Sequence, residues 1–281
     1  MKVIFLNIWG GKMYEPLMAF LKEQAPTTDF FCLQEVFDSP EHREVSWGGR
    51  ADILASLCSA LPRHEGYFSV SVRNFNGDEY VHFPLAHGNA IFAKKEIPIQ
   101  SHGDLLIAGE GWPDTGDLRA FPHKLQYICF HEKGSAYTLA NLHGIAYPGT
   151  KLDTPERIAQ SQKIVDFLAG EPGEKILGGD FNLMPDTESI RMIERGGMRN
   201  LITEYGITTT RNPLSYGEYS ESDVVQRNPN VTIAKRFQNS DIHTLRANET
   251  EECDIEQEDC NAEENRWYDE CLNSKSGNLI G

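Results

Sequence analysis

Polar side chains suited to metal and phosphate chemistry stand at the ends of short apolar runs in four parts of the chain. They are Asn7, Glu35, Asn141 with His143, and Asp180 with Asn182. Asn7 and Glu35 offer amide and carboxylate oxygens, the hard ligands that Mg²⁺ or Mn²⁺ prefers over sulfur. Asp180 can orient or deprotonate water, Asn182 can hold a phosphate oxygen, and His143 can donate to developing negative charge. These residue types together predict hydrolytic chemistry at phosphorus.

Each of these residues also has a purely structural interpretation. A single Asp180 or Asn182 after a strand would as readily cap a helix or form a turn. Asn7 could satisfy a turn, and His143 in isolation would be an ordinary histidine near the surface. Four such positions in one chain favour the chemical interpretation.

Predicted strands position the polar residues. Residues 2–8, 29–36, 136–142 and 175–179 are apolar runs of strand length, and each is followed or ended by one of the candidate side chains. Further extended segments are predicted at 67–73, 81–83, 90–93 and 124–131. Strand ends are where loops carry function while the sheet fixes their spacing, so we expect the candidates to meet at one edge.

Helices alternate with these strands. The clearest covers residues 155–168, with Thr154 as N-cap, Pro155 in the first turn and Gly170 just beyond its end. Others are predicted around Leu17, at 51–61 and from Thr187. The alternation predicts an α/β domain.

Three residues are candidates for substrate recognition. Asn89 follows His87-Gly88, where a turn before a strand is an equally good explanation, and Asn141 precedes Leu142-His143. Arg119 lies with Trp112 on a polar loop rich in Gly and Asp.

Composition limits the partners and the compartment. A net charge of -16, from 42 acidic and 26 basic residues, argues against a pervasive basic surface for nucleic acid. The first apolar run is too short for a signal peptide or a membrane span, so we expect no stable membrane insertion. Cys32, Cys58 and Cys129 lie in apolar or mixed surroundings and are expected to be buried thiols. We expect a cytoplasmic monomer.

Four motifs carry a family resemblance. Leu6-Asn7-Ile8-Trp9, Leu33-Gln34-Glu35-Val36, Asn141-Leu142-His143-Gly144 and Gly178-Gly179-Asp180-Phe181-Asn182 occur in the order and approximate spacing of the endonuclease/exonuclease/phosphatase superfamily. The last motif is the most specific. The resemblance implies a four-layer sandwich of two packed mixed β-sheets flanked by helices, with magnesium-dependent hydrolysis of a phosphoester. It also implies a metal site at Asn7 and Glu35, with His143, Asp180 and Asn182 at the phosphate.

The C-terminal third departs from the family pattern. A Ser-Asp-His tripeptide, whose histidine contacts the scissile phosphate, does not occur, although Ser240-Asp241-Ile242-His243 is an imperfect version. If that segment is extended, Asp241 and His243 share a face and could replace the missing pair. The domain is predicted to span residues 1–245, atypical from about 217. Residues 246–281 are predicted to be an acidic, disordered tail.

Several functions remain open at this level. The leading hypothesis is a phosphoesterase whose substrate is a nucleic acid, a phospholipid or a related small molecule. The alternative is a catalytically impaired phosphate-binding or interaction module on the same scaffold, because the Ser-Asp-His motif is missing. A structural α/β protein with relic motifs is the third possibility.

Overall fold

A computed structural model describes residues 1–110, 120–207, 210 and 233–234. The strands are β1 (Val3–Asn7), β2 (Phe30–Asp38), β3 (Glu44–Val45), β4 (Gly49–Arg50), β5 (His64–Arg73), β6 (Ala86–Lys94), β7 (Ile99–Ala108), β8 (His123–Glu132), β9 (Ser135–His143), β10 (Glu174–Asp180), β11 (Arg199–Asn200) and β12 (Ile233–Ala234). The α-helices are α1 (Tyr14–Gln24), α2 (Ile53–Ala60), α3 (Pro155–Gly170), α4 (Glu188–Arg195) and α5 (Leu201–Glu204).

Two mixed sheets form the centre of the fold. The first has four strands in the order β1-β2-β6-β5, with β1 and β2 parallel and the other pairs antiparallel. The second has six described strands in the order β11-β12-β10-β9-β8-β7, and its parallel pair is β9 with β10. The predicted pair of mixed sheets is confirmed.

Alternate residues of each strand pack on opposite faces and build the layers. In β2, Phe30 and Cys32 pack between the sheets, whereas Phe31 and Leu33 pack towards the outer helices. Because both faces of the strand are covered, the run is continuously apolar in sequence. Helices α1 and α2 cover the four-stranded sheet, and α3 and α4 cover the six-stranded sheet. The result is a four-layer sandwich.

The structure corrects some of the predicted elements. Glu35 does not end its strand, because β2 continues to Asp38 past an irregularity in its pairing with β6. Asn89 lies inside β6 and not in a turn. Strand β7 was not predicted, because its alternation is weak and Gln100, Ser101 and His102 are all exposed. By contrast, the Thr154 cap is confirmed by its side chain, which accepts a hydrogen bond from Arg157 N at 3.2 Å.

Among the described helices, none is long and apolar enough to cross a membrane. Cys32 is buried and Cys129 is partly buried, but Cys58 is exposed, contrary to the expectation of burial. It lies on the outward side of α2, the amphipathic helix whose other face carries Ile53 and Leu57 into the core.

Candidate active site

The space between the two sheets changes from apolar to polar along the strands. In β1, Val3 and Phe5 pack in the apolar layer between the sheets, and Asn7 is the next residue in that row. In β9, Leu139 is followed in its row by Asn141 and then by His143. The period of two therefore delivers polar side chains to one end of the sandwich.

A layer of amides separates the apolar interior from that end. Gln34 Nε2 donates to Asn141 Oδ1 at 2.6 Å, which joins the two sheets. Asn141 Nδ2 donates to the Leu33 carbonyl at 3.1 Å and approaches Gln126 Oε1 at 3.3 Å. The Asn141 side chain is 0% exposed. Its amide is thus used in hydrogen bonds between the sheets.

Of the other predicted recognition residues, the described part of the chain includes only Asn89. Asn89 is buried, and its Nδ2 donates to the Lys124 carbonyl at 3.2 Å, another contact between the sheets. Arg119 lies outside the described residues, as do Asp241 and His243.

Asn7 connects two carboxylates from different sheets. Its Nδ2 donates to Glu35 Oε1 at 2.8 Å and to Asp180 Oδ2 at 3.0 Å. Trp9 N donates to Asn7 Oδ1 at 2.9 Å, which fixes the orientation of the amide. Glu35, Asn7 and Asp180 therefore form one cluster at the polar end of the sandwich.

A distortion of β2 brings Glu35 into this cluster. Gln34 already faces the space between the sheets, so regular alternation would turn Glu35 towards the outer helices. The pairing with β6 shifts between Leu33 and Val36, and Glu35 has a φ of 55°. This irregularity lets Gln34 and Glu35 both face inwards. Positive φ at a residue other than glycine is uncommon and strained, and it often marks a functional position.

His143 lies beside the carboxylate cluster. Its Nε2 is 3.6 Å from Glu35 Oε1, and the side chain is 13% exposed. His123 Nδ1 contacts the His143 carbonyl at 3.1 Å, and the two rings are perpendicular with centroids 5.8 Å apart. Burial, with a further contribution from His143, lowers the pKa of His123 to about 3. The same two causes lower the pKa of His87 to about 3. His123 and His87 are therefore neutral at pH 7.

The Asp180–Asn182 turn is fixed by its own contacts. Asn182 N donates to Asp180 Oδ1 at 2.9 Å, and Asn182 Nδ2 donates to the Gly144 carbonyl at 3.0 Å. Asn182 has a φ of 54°. Its remaining amide atom, Oδ1, accepts a hydrogen bond from Lys151 Nζ. Sequence reasoning missed Lys151, whose only signal was a lysine in the segment between His143 and the next helix.

Two glycines allow β10 to approach its neighbours closely. A Cβ on Gly178 would lie 2.5 Å from the Phe5 ring of the opposite sheet. A Cβ on Gly179, which has a φ of +127°, would lie 2.0 Å from the Leu142 carbonyl oxygen. The Gly-Gly-Asp sequence is therefore required by packing, and it sets the depth at which Asp180 meets Asn7.

Glu35 and Asp180 carry the carboxylate oxygens that hard divalent cations prefer. The described residues contain no group of three His, Cys, Asp or Glu side chains that could hold a metal. They do bring two carboxylates onto one amide, and the only ion pair of either carboxylate within the described residues is Glu35 with His143. A cluster of oxygen donors with excess negative charge suits Mg²⁺ or Mn²⁺.

The fold and the site together are typical of phosphoester hydrolases built on a two-sheet sandwich. The chain belongs to the Endonuclease/Exonuclease/phosphatase family, whose model matches residues 4–232. Members of this family are generally hydrolases acting on phosphoesters. No curated protein sequence matches the chain significantly.

Solved structures share the fold at low sequence identity. An endonuclease/exonuclease/phosphatase family protein from Leptotrichia buccalis is 14% identical, with a TM-score of 0.57, over 83% of this chain and 87% of that one. Truncated TDP2 from Caenorhabditis elegans is 19% identical, with a TM-score of 0.53, over 83% of each chain. The human Nocturnin catalytic domain with bound sulfate is 18% identical, with a TM-score of 0.54, over 83% of this chain and 81% of that one.

Proposed function

We propose that this protein is a Mg²⁺- or Mn²⁺-dependent phosphoesterase that hydrolyses a phosphodiester by attack of water at phosphorus. The observation that supports it is the Asn7 amide, which holds Glu35 and Asp180 together beside His143. The cluster combines a site for a hard cation with groups that can handle water and phosphate. The family to which the chain belongs makes this chemistry its expected activity.

Glu35 and Asn7 have different roles in this proposal, because their side chains make different contacts. Glu35 is the direct metal ligand of the proposal, and a bound Mg²⁺ would polarise a phosphoryl oxygen as a Lewis acid. Asn7 directs its amide nitrogen at both carboxylates, so in this arrangement it positions Glu35 and Asp180. Any coordination by Asn7 uses the oxygen that also accepts from Trp9.

In this proposal Asp180 orients the attacking water, and His143 contacts the phosphate. Asp180 is held at one oxygen by Asn182 N and at the other by Asn7, which aims its carboxylate to orient an attacking water. His143 Nε2 faces the cluster and can donate to a phosphoryl oxygen as charge develops. Asn182 uses its side chain to join Gly144 and Lys151, so it shapes the phosphate side of the site.

Several classes of substrate are compatible with the proposed reaction. Nucleic acids, phospholipids and related small molecules all carry the phosphodiester that this site would cleave, and the acidic composition mildly disfavours duplex DNA. The alternative of a catalytically impaired module depends on the missing Ser-Asp-His motif. Neither the family match nor the described contacts support it.

The proposal extends to the organisation of the chain. Residues 1–245 form the catalytic domain, and residues 246–281 are an acidic tail that turnover does not require. The protein acts as a cytoplasmic monomer. Removal of residues 246–281 should leave turnover within about twofold, and sedimentation should give the monomer mass. Loss of turnover on truncation would place functional residues in the tail.

A turnover assay tests the mechanism. Wild type is assayed with Mg²⁺ on abasic and single-stranded DNA, sphingomyelin, phosphoinositides and a chromogenic phosphodiester. We expect Asp180→Asn and Glu35→Gln each to lower kcat at least about 100-fold, the usual scale for a lost acid-base or charge-stabilising group. Asp186→Asn, at an exposed aspartate on the following loop, is the matched control and should keep wild-type kcat. Unchanged activity in both site variants would refute the mechanism.

A further inference from the structure

The loop between β9 and α3 places Lys151 beside Asn182, in the turn that follows Asp180. Lys151 Nζ donates to Asn182 Oδ1, and the backbone N–H of Asn182 donates to Asp180 Oδ1 at 2.9 Å. Lys151 is only partly buried, so solvent reaches the side chain. Asn182 therefore makes hydrogen bonds both to the Lys151 ammonium and to Asp180, whose carboxylate is proposed to orient water.

Buried contacts fix the position of this loop. Arg157 on α3 is 0% exposed, and its guanidinium donates to the carbonyls of Leu152 at 2.6 Å and of Pro148 at 2.7 Å. It also donates to the Ile145 carbonyl from two nitrogens, at 3.1 and 3.2 Å. A planar guanidinium with several donors can hold several carbonyls at once. The segment that carries Lys151 is thus bound on its inner side.

A second set of contacts holds the same loop against the segment that follows β10. The Lys151 carbonyl accepts from Met184 N at 2.8 Å, and Lys151 has a φ of 59°. Asp153 accepts from the backbone N–H groups of Glu188 at 2.7 Å and Ser189 at 2.9 Å. Lys151 is consequently held on the Asp180–Asn182 side, and its placement differs from that of a lysine on an open surface.

The charges at the site give this lysine a function. Glu35 and Asp180 repel the anionic phosphoryl group that must approach them, and a metal ion held by Glu35 would offset part of that repulsion. The Lys151 ammonium donates to Asn182 Oδ1, and this contact places its positive charge beside the Asp180–Asn182 turn. We propose that Lys151 is a substrate-binding residue that donates to a non-bridging oxygen of the phosphoryl group. This inference rests on the proposed function and deepens it.

A merely structural lysine would behave differently from a phosphate ligand. Glutamine at position 151 keeps an N–H donor for Asn182 Oδ1 but carries no charge. Arginine keeps the charge and binds phosphate oxygens well. If Lys151 only supports Asn182, Lys151→Gln should bind phosphate as wild type does.

Equilibrium binding of inorganic phosphate tests the inference independently of turnover. The full chain is titrated calorimetrically with phosphate in the presence of Mg²⁺, for wild type, Lys151→Gln, Lys151→Arg and Lys95→Gln. Lys95 is an exposed lysine directly after the C-terminal end of β6, and its ammonium donates to the Pro62 carbonyl. It serves as the matched control. We expect Lys151→Gln to raise Kd at least about 10-fold, the scale of one hydrogen bond to a charged group. Lys151→Arg and Lys95→Gln should stay within about threefold of wild type.

The outcomes separate this inference from the proposed function. Wild-type affinity in Lys151→Gln, or no phosphate binding by wild type, would overturn the role of Lys151. A Lys151-dependent Kd without turnover on any substrate would support the lysine contact while refuting hydrolysis. If turnover is present, Lys151→Gln should lower kcat/KM with the same 10-fold scale, and Lys151→Arg should restore it. Melting curves verify that all variants fold.

Discussion

Gln34 and Asn141 join the two sheets through a hydrogen bond of 2.6 Å between their side-chain amides. Gln34 directly precedes Glu35 in sequence, and Asn141, itself a predicted recognition residue, lies two positions before His143. Their buried hydrogen bond fixes the position of β2 relative to β9. It thereby helps to set the distance between the Glu35 carboxylate and the His143 imidazole. A polar layer of this kind stabilises one arrangement only when all of its members are satisfied.

Replacement of Asn141 should therefore affect stability first. Asn141→Ala removes the side-chain acceptor of Gln34 and a donor to the Leu33 carbonyl in the interior, although Gln34 Nε2 keeps its hydrogen bond to the Cys32 carbonyl. We expect a cost of about 2–4 kcal/mol in the free energy of unfolding. Urea denaturation measures this loss. Gln162→Ala, at an exposed amide of α3 that contacts Asp166, is the matched control and should change stability by less than about 0.5 kcal/mol. A stable Asn141→Ala protein with a raised KM would instead assign this residue to substrate binding.

Replacement of Asn7 by aspartate should make the stability of the protein depend on a bound metal ion. Asn7→Asp replaces two hydrogen bonds with repulsion among three carboxylates, so the free energy of unfolding in EDTA should fall by about 2 kcal/mol or more. Mg²⁺ should recover most of this loss, because a cation neutralises the cluster.

Thermal midpoints of Asn7→Asp in EDTA and in Mg²⁺ provide the measurement. The exposed Asn74 offers the same substitution outside the cluster, and Asn74→Asp should show no added response to Mg²⁺. An Asn7→Asp protein that is equally stable with and without Mg²⁺ would argue against a cation site at Glu35 and Asp180.

The buried histidines should make stability depend on pH. Burial lowers the pKa of His123 from 6.5 to about 3, so the unfolded chain takes up its proton first as the pH falls. The stabilising contribution of the neutral ring is fully present above about pH 6.5 and is lost as the pH falls towards 3. Urea midpoints between pH 4 and pH 7 measure the slope. His123→Asn should flatten it, whereas His131→Asn, at an exposed histidine, should leave it unchanged.

A change of slope only in the His131 variant would contradict this assignment. Because other groups also titrate in this range, the difference between each variant and wild type is the relevant quantity. His123→Asn loses ring contacts with His143 and Phe121, so its absolute stability should also be lower at every pH.

Gly178 should be intolerant of even one methyl group. Gly178→Ala brings a Cβ to 2.5 Å from the Phe5 ring and should cost about 1–3 kcal/mol in the free energy of unfolding. Phe5→Leu should partly relieve that clash, so the double variant should be more stable than the sum of the two single changes predicts. Gly170→Ala has no heavy atom within 4 Å and should be almost neutral. Strict additivity of Gly178→Ala and Phe5→Leu would mean that the two residues do not meet.

The sequence by itself determined most of the longer strands, though not β7, together with the main helices and the order of the motifs. These features depend on local chemistry: the apolar runs of β1 and β10, the Thr154 cap of α3, and the four motifs in their family order. It also singled out Asn7, Glu35, His143 and Asp180, because polar residues at strand ends are visible without knowledge of their neighbours.

Only the tertiary structure decided which of those residues meet. Asn7 and Asp180 are 173 positions apart, and their contact depends on the stacking of two sheets. The irregularity that turns Glu35 inwards arises from its pairing with β6, and the burial of Asn141 arises from Gln34 on the opposite sheet. Lys151 reaches Asn182 because Arg157 holds its loop from within. Such relationships come from packing between segments distant in sequence, and no local pattern encodes them.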